Sequence, residues 1–124
     1  MTILVLEDNP IDEALIRHAL AGSDHTVLEA KTLDHGLELM TAQRFDVVIV
    51  SLSAVPERGL PSFQRRLHQA PATKLVALAP ASGGDGLTTL LLAESLHAHH
   101  LLAKPVDIEQ LLAIIHLNCP LSAR

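Results

Sequence analysis

Residues 2–10 read TILVLEDNP, so an apolar run, an acidic loop and a helix start follow one another directly. The apolar run from Thr2 to Leu6 predicts a buried strand. Asn9 is then suited to cap a helix, because its side chain can accept hydrogen bonds from the first backbone amides, and Pro10 is favoured at the first helical position. The stretch therefore predicts a strand, a tight loop and a helix. We expect the apolar stripe of this helix to be Ile11, Leu15, Ile16 and Leu20.

The same alternation continues along the chain. Short apolar runs alternate with segments of helical period, which is the pattern of repeated βα units around a parallel sheet. The further predicted strands are Thr26 to Glu29, Asp46 to Val50, Lys74 to Leu78 and His100 to Leu102. The further predicted helices are Leu33 to Ala42, Pro61 to Gln69, Leu87 to His97 and Ile108 to Leu117. We therefore expect an α/β fold with a doubly wound, five-stranded parallel sheet, covered on both faces by right-handed crossovers.

Length and charge limit the function classes. The chain has 124 residues, of which 48% are apolar, and this suits one compact domain. We expect that domain to span residues 1–118, with 119–124 forming a tail or the start of a linker. With a formal net charge of -5, the chain lacks the excess of basic residues on which affinity for nucleic acids depends. We therefore expect no nucleic-acid partner. The sequence has no membrane span and no export signal, so we expect a cytoplasmic protein with no membrane partner.

The chemistry is expected at the carboxyl ends of the strands, where ligands bind in folds of this type. The first strand is followed by Glu7 and Asp8, where a nucleotide-binding loop would need glycines. Lys104 follows the fifth strand, and its ammonium would lie at the same edge of the sheet. Two interpretations of this acidic pocket are open. It is either a structural ion-pair network, with Lys104 paired directly to Asp8, or a pocket that binds a metal or small ligand weakly.

Four segments together resemble the receiver domain of bacterial two-component response regulators, the CheY-like family. They are the LEDNP start at 6–10, the third-strand sequence FDVVIV at 45–50, Gly59-Leu60, and KPVD at 104–107. The resemblance covers nearly the whole chain and implies the flavodoxin-like (βα)5 receiver architecture. In that family an acid pair holds Mg²⁺, an aspartate at the end of the third strand accepts phosphate, and a lysine contacts the phosphoryl group. Glu7, Asp8 and Lys104 match the acid pair and the lysine.

The phosphoacceptor position departs from this pattern, because it falls on Ser51. The family's switch hydroxyl falls on Ala79, unless Ser82 reaches back from the next loop, and the aromatic switch position falls on Leu101. A serine offers neither a carboxylate nucleophile nor a third anionic metal ligand. The resemblance therefore implies a degenerate receiver, or pseudo-receiver, that lacks the phosphoacceptor aspartate. We expect it to have no catalytic residues and no cofactor, with at most weak Mg²⁺ binding at Glu7 and Asp8. The resemblance also implies a cis peptide bond before Pro105.

The fourth and fifth helices carry more apolar residues than one core face needs. Leu92, Ala93 and Leu96 are expected to face the sheet, and the helical period then turns other leucines outward. Exposed apolar patches usually mark partner surfaces. The expected contact surface consists of Leu87, Leu90, Leu91, Leu101 and Ile114.

We therefore expect an atypical receiver that acts without phosphorylation as a protein-interaction or dimerisation module in signal transduction. Its partner would be another protein, an output domain, or a second copy bound through the fourth helix, fifth strand and fifth helix. The alternative is a small-ligand or weak-metal sensor, or an enzyme, that uses the acidic pocket. His97, His99 and His100 lack the i, i+4 spacing of a helical zinc site, so we interpret them as solvated side chains.

Overall fold

The computed structural model describes residues 1–21, 25–80 and 86–117, with side chains from residue 89 onward in the last segment. They form a five-stranded parallel sheet in the order β2-β1-β3-β4-β5. The strands are β1 (Thr2–Leu6), β2 (Thr26–Ala30), β3 (Val47–Ser51), β4 (Lys74–Ala79) and β5 (His100–Ala103). The helices are α1 (Pro10–Leu20), α2 (Leu33–Ala42), α3 (Leu60–His68), α4 (Gly86–Ser95) and α5 (Ile108–Leu117). This confirms the predicted fold class and element order.

The helices form two layers because each central strand buries alternate side chains on opposite faces. Along β1, Ile3 and Val5 face a core with α1 and α5, whereas Leu4 and Leu6 face a core with α2, α3 and α4. All four are completely buried, which explains why the strand sequence is apolar throughout instead of alternating. Phe63 of α3 is also fully buried. Such a side chain contributes on the order of 1.5–3 kcal/mol of burial free energy.

The α1 helix begins as predicted. The Asn9 side chain accepts hydrogen bonds from the amides of Ile11 and Asp12, at 2.9 and 3.2 Å. The predicted apolar stripe of this helix is wrong in part, because Ile11 is 78% exposed and Leu15 is 41% exposed. Ile16 and Leu20 are buried and face the sheet. At about 100° per residue, Ile11 lies about 180° around the helix from Leu20, so both cannot face one core.

The α2 helix packs closely on the end of β1 at Gly36. A β-carbon at this position would collide with Cδ1 of Leu6, whose side chain is completely buried. Glycine therefore allows the helix to approach the strand from which the acidic loop departs.

The elements β2, β3, β4, β5, α3 and α4 differ from their predicted bounds by one or two residues at one end or both. β3 begins at Val47 instead of Asp46, because the Asp46 carboxylate accepts a hydrogen bond from the amide of Thr2 at 2.8 Å. α4 ends at Ser95, ahead of the predicted His97, which has a left-handed backbone with φ of 57°. The predicted tail at 119–124 and Ser82 lie outside the described residues. Within the described part of the chain, none of the helices has the length and apolar character needed to span a bilayer.

Candidate functional site at the carboxyl edge of the sheet

The loop after β1 is fixed by its own hydrogen bonds. The amide of Glu7 donates to the carbonyl of Ala30 at 3.0 Å, so Glu7 extends the pairing of β1 with β2. The Glu7 side chain then turns inward and the residue is only 1% exposed, whereas Asp8 is exposed. The amide of Asn9 donates to Oε1 of Glu7 at 3.1 Å. The acid pair therefore divides into one buried and one exposed carboxylate.

Lys104 reaches this loop from the end of β5, and its side chain is only 8% exposed. Its Nζ donates to Oε1 of Glu7 and to Oδ2 of Asp12, each at 3.0 Å. Oε2 of Glu7 also lies 3.0 Å from Nζ as an ion-pair contact, without a hydrogen bond of its own. The peptide bond between Lys104 and Pro105 is cis, as expected. The expected direct pair between Lys104 and Asp8 is wrong, because the ammonium instead lies between Glu7 and Asp12.

Burial and ion pairing act in opposite directions on these groups. Burial raises the pKa of Glu7 above its ordinary value, although the hydrogen bond from Lys104 opposes this. Burial alone would lower the pKa of Lys104, but the hydrogen bonds to Asp12 and Glu7 outweigh it and the pKa is raised. The lysine is therefore held in its charged form. Glu7 takes up a proton more readily than an exposed glutamate does.

Ser51 is the last residue of β3, and it is only 1% exposed. Its Oγ lies 2.9 Å from Oγ of Ser53, within a short 3-10 helix at Leu52–Ala54. Ser53 in turn donates to Oδ1 of Asp8 at 3.0 Å. The two hydroxyls thus form a chain that ends on the exposed carboxylate of the acid pair.

Asp12 and Ser53 belong to this network, but sequence reasoning did not select them. Asp12 lies in the first turn of α1, where an acidic side chain interacts favourably with the helix dipole, and this role alone accounts for its presence in the sequence. Its position three residues after Asn9 could have indicated its role in the network, because the first turn of α1 lies at the carboxyl edge of the sheet. Ser53 gave no comparable signal, because its position depends on the 3-10 turn that follows β3.

A Mg²⁺ ion, which this type of site would imply, does not fit the arrangement of these residues. The Glu7 carboxylate already contacts the Lys104 ammonium through both oxygens, and Oδ1 of Asp8 accepts a hydrogen bond from Ser53. Ser51 supplies a neutral hydroxyl where a third anionic ligand would be needed. Mg²⁺ prefers octahedral oxygen coordination with carboxylates, and here it would have to displace the lysine. A cleft of about 370 Å³ lies beside this network, lined in part by Asp8 and Pro80.

The predicted switch positions are near this edge. Ala79 ends β4, pairs in register with Ala103, and accepts a hydrogen bond from the amide of Lys104 at 3.1 Å through its carbonyl. It offers no side-chain hydroxyl. Leu101 lies in β5 and is 38% exposed.

The predicted contact surface is exposed in part. Leu90 and Leu91 on α4 are 48% and 56% exposed, and Leu101 of β5 is 38% exposed. These three residues are referred to below as the α4–β5 surface. Ile114 was expected to lie off the core face, but it is half-buried and packs against the core between the sheet and α5. Leu87 belongs to α4, and its side chain lies outside the described residues.

The expected inward face of α4 is confirmed. Ala93 and Leu96 are buried at 5% and 3% exposure, and Leu92 packs against the same core. The outward direction of Leu90 and Leu91 is therefore set by the helix, because their neighbours occupy the core positions.

Comparison with known proteins supports the same family. The sequence model of the protein family described as the response regulator receiver domain matches residues 3–116 of this chain. A protein-glutamate methylesterase/protein-glutamine glutaminase from Hahella chejuensis is 27% identical over 96 residues, which is 77% of this chain but only 28% of that protein. Its activity therefore cannot be carried over from the match.

Two solved structures illustrate the structural similarity. A signal receiver domain from Pseudomonas fluorescens has a TM-score of 0.82 at 20% identity, with 94% of this chain and 85% of that chain covered. A response regulator from Burkholderia pseudomallei, solved with a phosphorylated aspartic acid, a calcium ion and citrate, has a TM-score of 0.75 at 26% identity. That match covers 90% of this chain and 64% of the other. Since the family model spans almost the entire sequence and the sheet order agrees, the chain belongs to the response regulator receiver domain family and is a signalling module.

Proposed function

We propose that this receiver domain works without phosphorylation, as a protein-interaction or dimerisation module in signal transduction. The observation that carries the proposal is Ser51 at the end of β3, buried and hydrogen-bonded to Ser53. In the family pattern an aspartate stands at this position and accepts the phosphoryl group. Receivers pass signals to partner or output domains, and here the contact would be made constitutively.

Chemistry supports the absence of phosphotransfer. A receiver forms an acyl phosphate on a carboxylate, whereas a serine hydroxyl needs an aligned general base before it becomes a useful nucleophile. The only carboxylate linked to Ser51 by the described hydrogen bonds is Asp8, through the intervening Ser53 hydroxyl. At 1% exposure, Ser51 also offers little access to a phosphodonor. No catalytic role is therefore assigned to it, and the domain is proposed not to be an enzyme.

The charge network supports the same proposal. In a phosphorylated receiver the lysine is available to the incoming phosphoryl group, but Lys104 is already paired with Glu7 and Asp12. Glu7, Asp8 and Lys104 are thus proposed to be structural, with Mg²⁺ bound weakly or not at all. Ala79 and Leu101 fit a domain that has lost the hydroxyl and aromatic residues of the family's switch.

The α4–β5 surface is the proposed contact site. Leu90, Leu91 and Leu101 are exposed apolar side chains, and the exposed Glu94 lies three residues after Leu91 on α4. Because Ser51 is not phosphorylated in this proposal, phosphorylation cannot shift the equilibrium between conformers. A partner would therefore always meet the same surface. The partner is proposed to be a protein, an output domain or a second copy, and not nucleic acid or membrane.

The direct test is phosphorylation by a small donor. After incubation with acetyl phosphate and Mg²⁺, we expect the intact mass to be unchanged. The response regulator from Burkholderia pseudomallei is a suitable positive control, because it carries a phosphorylated aspartic acid in its structure. A stable adduct of about 80 Da, the mass of one added phosphate, would contradict the proposal.

The alternative function is a ligand or weak-metal sensor that uses the cleft next to Asp8. The cleft volume of about 370 Å³ is the observation in its favour. Isothermal titration with Mg²⁺ separates the two functions. The sensor function would be favoured if the wild type gave a saturable heat of binding at submillimolar Mg²⁺ and the Asp8→Asn variant gave none. Sites that bind a hard cation with such affinity need carboxylate ligands.

A further inference from the structure

A second concave site lies at the opposite edge of the sheet, among the amino ends of β4 and β5 and the last turns of α3 and α4. Its volume is about 590 Å³, within the range of roughly 300–1,000 Å³ that is typical of small-molecule sites. The floor is apolar, because Leu75 and Leu96 line it at 2% and 3% exposure. Leu67 adds a half-buried apolar wall. This site, called the amino-edge groove below, does not share residues with the carboxyl-edge network.

Three backbone acceptors around the groove are already used within the protein. Near the end of α4, the carbonyl of Leu92 accepts from the amide of Leu96 and that of Ser95 accepts from the Gln64 side chain. The carbonyl of Leu75 accepts from the amide of His99 at 2.9 Å. These three carbonyl oxygens are therefore already engaged and are not free to bind a ligand.

Histidine side chains at the rim can supply hydrogen-bond donors. Nδ1 of His99 accepts a hydrogen bond from the amide of Leu75 at 3.0 Å, so in the neutral ring the proton lies on Nε2, which can donate. Burial, together with the charges of Lys74 and His100, lowers the pKa of His99 and favours this neutral form. His68 and His97 are exposed and also line the groove. Three imidazoles thus surround an apolar floor.

The described residues that line the groove include no carboxylate. A negatively charged ligand would therefore meet no like charge from these side chains. The imidazoles do not form a metal centre, since the described part of the chain contains no group of three His, Cys, Asp or Glu side chains suited to a metal ion. The φ of 57° at His97 is explained by the end of α4, because the amide of Ala98 donates to the carbonyl of Ala93 as in a helix C-terminal cap with one left-handed residue.

We propose that the amino-edge groove binds a small amphipathic carboxylate. The apolar body of the ligand would cover Leu75, Leu96 and Leu67, and its carboxylate would accept hydrogen bonds from the imidazole rim. The site would give the domain a ligand input that is independent of Ser51. The proposal stands separately from the proposed loss of phosphorylation, because the two sites lie at opposite edges of the sheet.

The test uses 2-naphthoate as the probe and the ¹H–¹⁵N spectrum of the labelled protein as the readout. We expect saturable shifts at the amides of Leu75, Leu96 and His99. The neutral analogue 2-naphthamide should bind at least about tenfold more weakly, which corresponds to about 1.4 kcal/mol. Because this comparison uses the wild-type protein, it does not depend on the folding of any variant.

Matched variants then test the rim. The double variant His68→Leu and His97→Gly removes two imidazoles, and glycine accepts the left-handed backbone at position 97 without strain. It should weaken 2-naphthoate binding at least about tenfold. His116→Leu is the control, because His116 is an exposed residue of α5 in the other helical layer, and its binding should equal that of the wild type. The proposal is overturned by shifts centred on Leu90 and Leu91, by equal binding of 2-naphthamide, or by no saturation below about 5 mM.

Discussion

Replacing Leu91 with aspartate gives the sharpest test of the α4–β5 surface. Leu91 is 56% exposed, so its side chain contributes little to the core of the isolated domain. We expect the free energy of unfolding to change by less than about 1 kcal/mol, which is typical of surface substitutions and includes the lower helix propensity of aspartate. The variant should therefore remain folded, as circular dichroism and urea denaturation can verify.

The expected effect on binding is much larger. Complete burial of a leucine is worth about 1.5–3 kcal/mol, and since 56% of the Leu91 surface is still exposed, a partner could gain about half of that amount. Aspartate also introduces a charge that must be desolvated, which adds several kcal/mol when no partner compensates it. A total loss of about 3 kcal/mol or more corresponds to at least about 100-fold weaker association.

Sedimentation equilibrium of wild type and Leu91→Asp measures self-association, and quantitative pull-down from cell lysate compares the recovery of other partners. Ile11→Asp is the matched control, because Ile11 is a 78% exposed helical residue on the opposite face of the sheet. It should behave like the wild type in both assays. If wild type and Leu91→Asp are both monomeric and recover the same partners, the α4–β5 surface is not the interface and the reasoning fails.

The remaining predictions concern stability. Lys104→Met should lower the free energy of unfolding by about 3 kcal/mol at pH 7 in urea denaturation, because it leaves the buried Glu7 carboxylate unpaired; an unchanged midpoint would contradict the ion-pair interpretation. The raised pKa of Glu7 means that the folded state binds a proton more tightly than the unfolded state. The stability of the wild type relative to Glu7→Gln should therefore fall as pH rises above about 4.5 and through the folded pKa, and a rise over that window would refute the assigned direction. Gly36→Ala should destabilise the domain by about 1–3 kcal/mol in thermal melts, since its β-carbon meets Leu6. The same substitution should cost less when it is made in a Leu6→Ala background, because the atom that the new β-carbon meets is then absent.

The sequence was sufficient for the fold because the periodic signals agreed with one another. The apolar run that ends at Leu6, followed by the Asn9 cap, fixed both the first strand and the helix start. The same pattern placed Glu7 and Lys104 at one edge of the sheet, although they lie 97 positions apart. Hydrophobic period and capping are local properties, so they can be read without knowing the tertiary contacts.

The details of pairing could not be read in this way. Whether Lys104 meets Asp8 or Asp12 depends on side-chain directions around the start of α1, and adjacent carboxylates give no local sign of which one turns inward. The apolar residues of α1 likewise exceed the number that can face one core, and only the packing against α5 decides that Ile11 and Leu15 stay exposed. Ser53 joins the network through a 3-10 turn that has no strong sequence signal.

The ion pair between Glu7 and Lys104 also has a consequence for how the chain folds. It joins a residue after β1 to a residue after the edge strand β5, so it closes almost the whole chain into one loop. Forming such a contact first costs the chain entropy, because a long loop has to close before the two charges interact. Contacts between residues this far apart in the sequence therefore slow folding. A nascent chain that lacks β5 has no Lys104 to pair with the Glu7 carboxylate. The first four βα units are therefore expected to gain little stability by themselves, and the domain should acquire its native stability only when synthesis has passed Lys104.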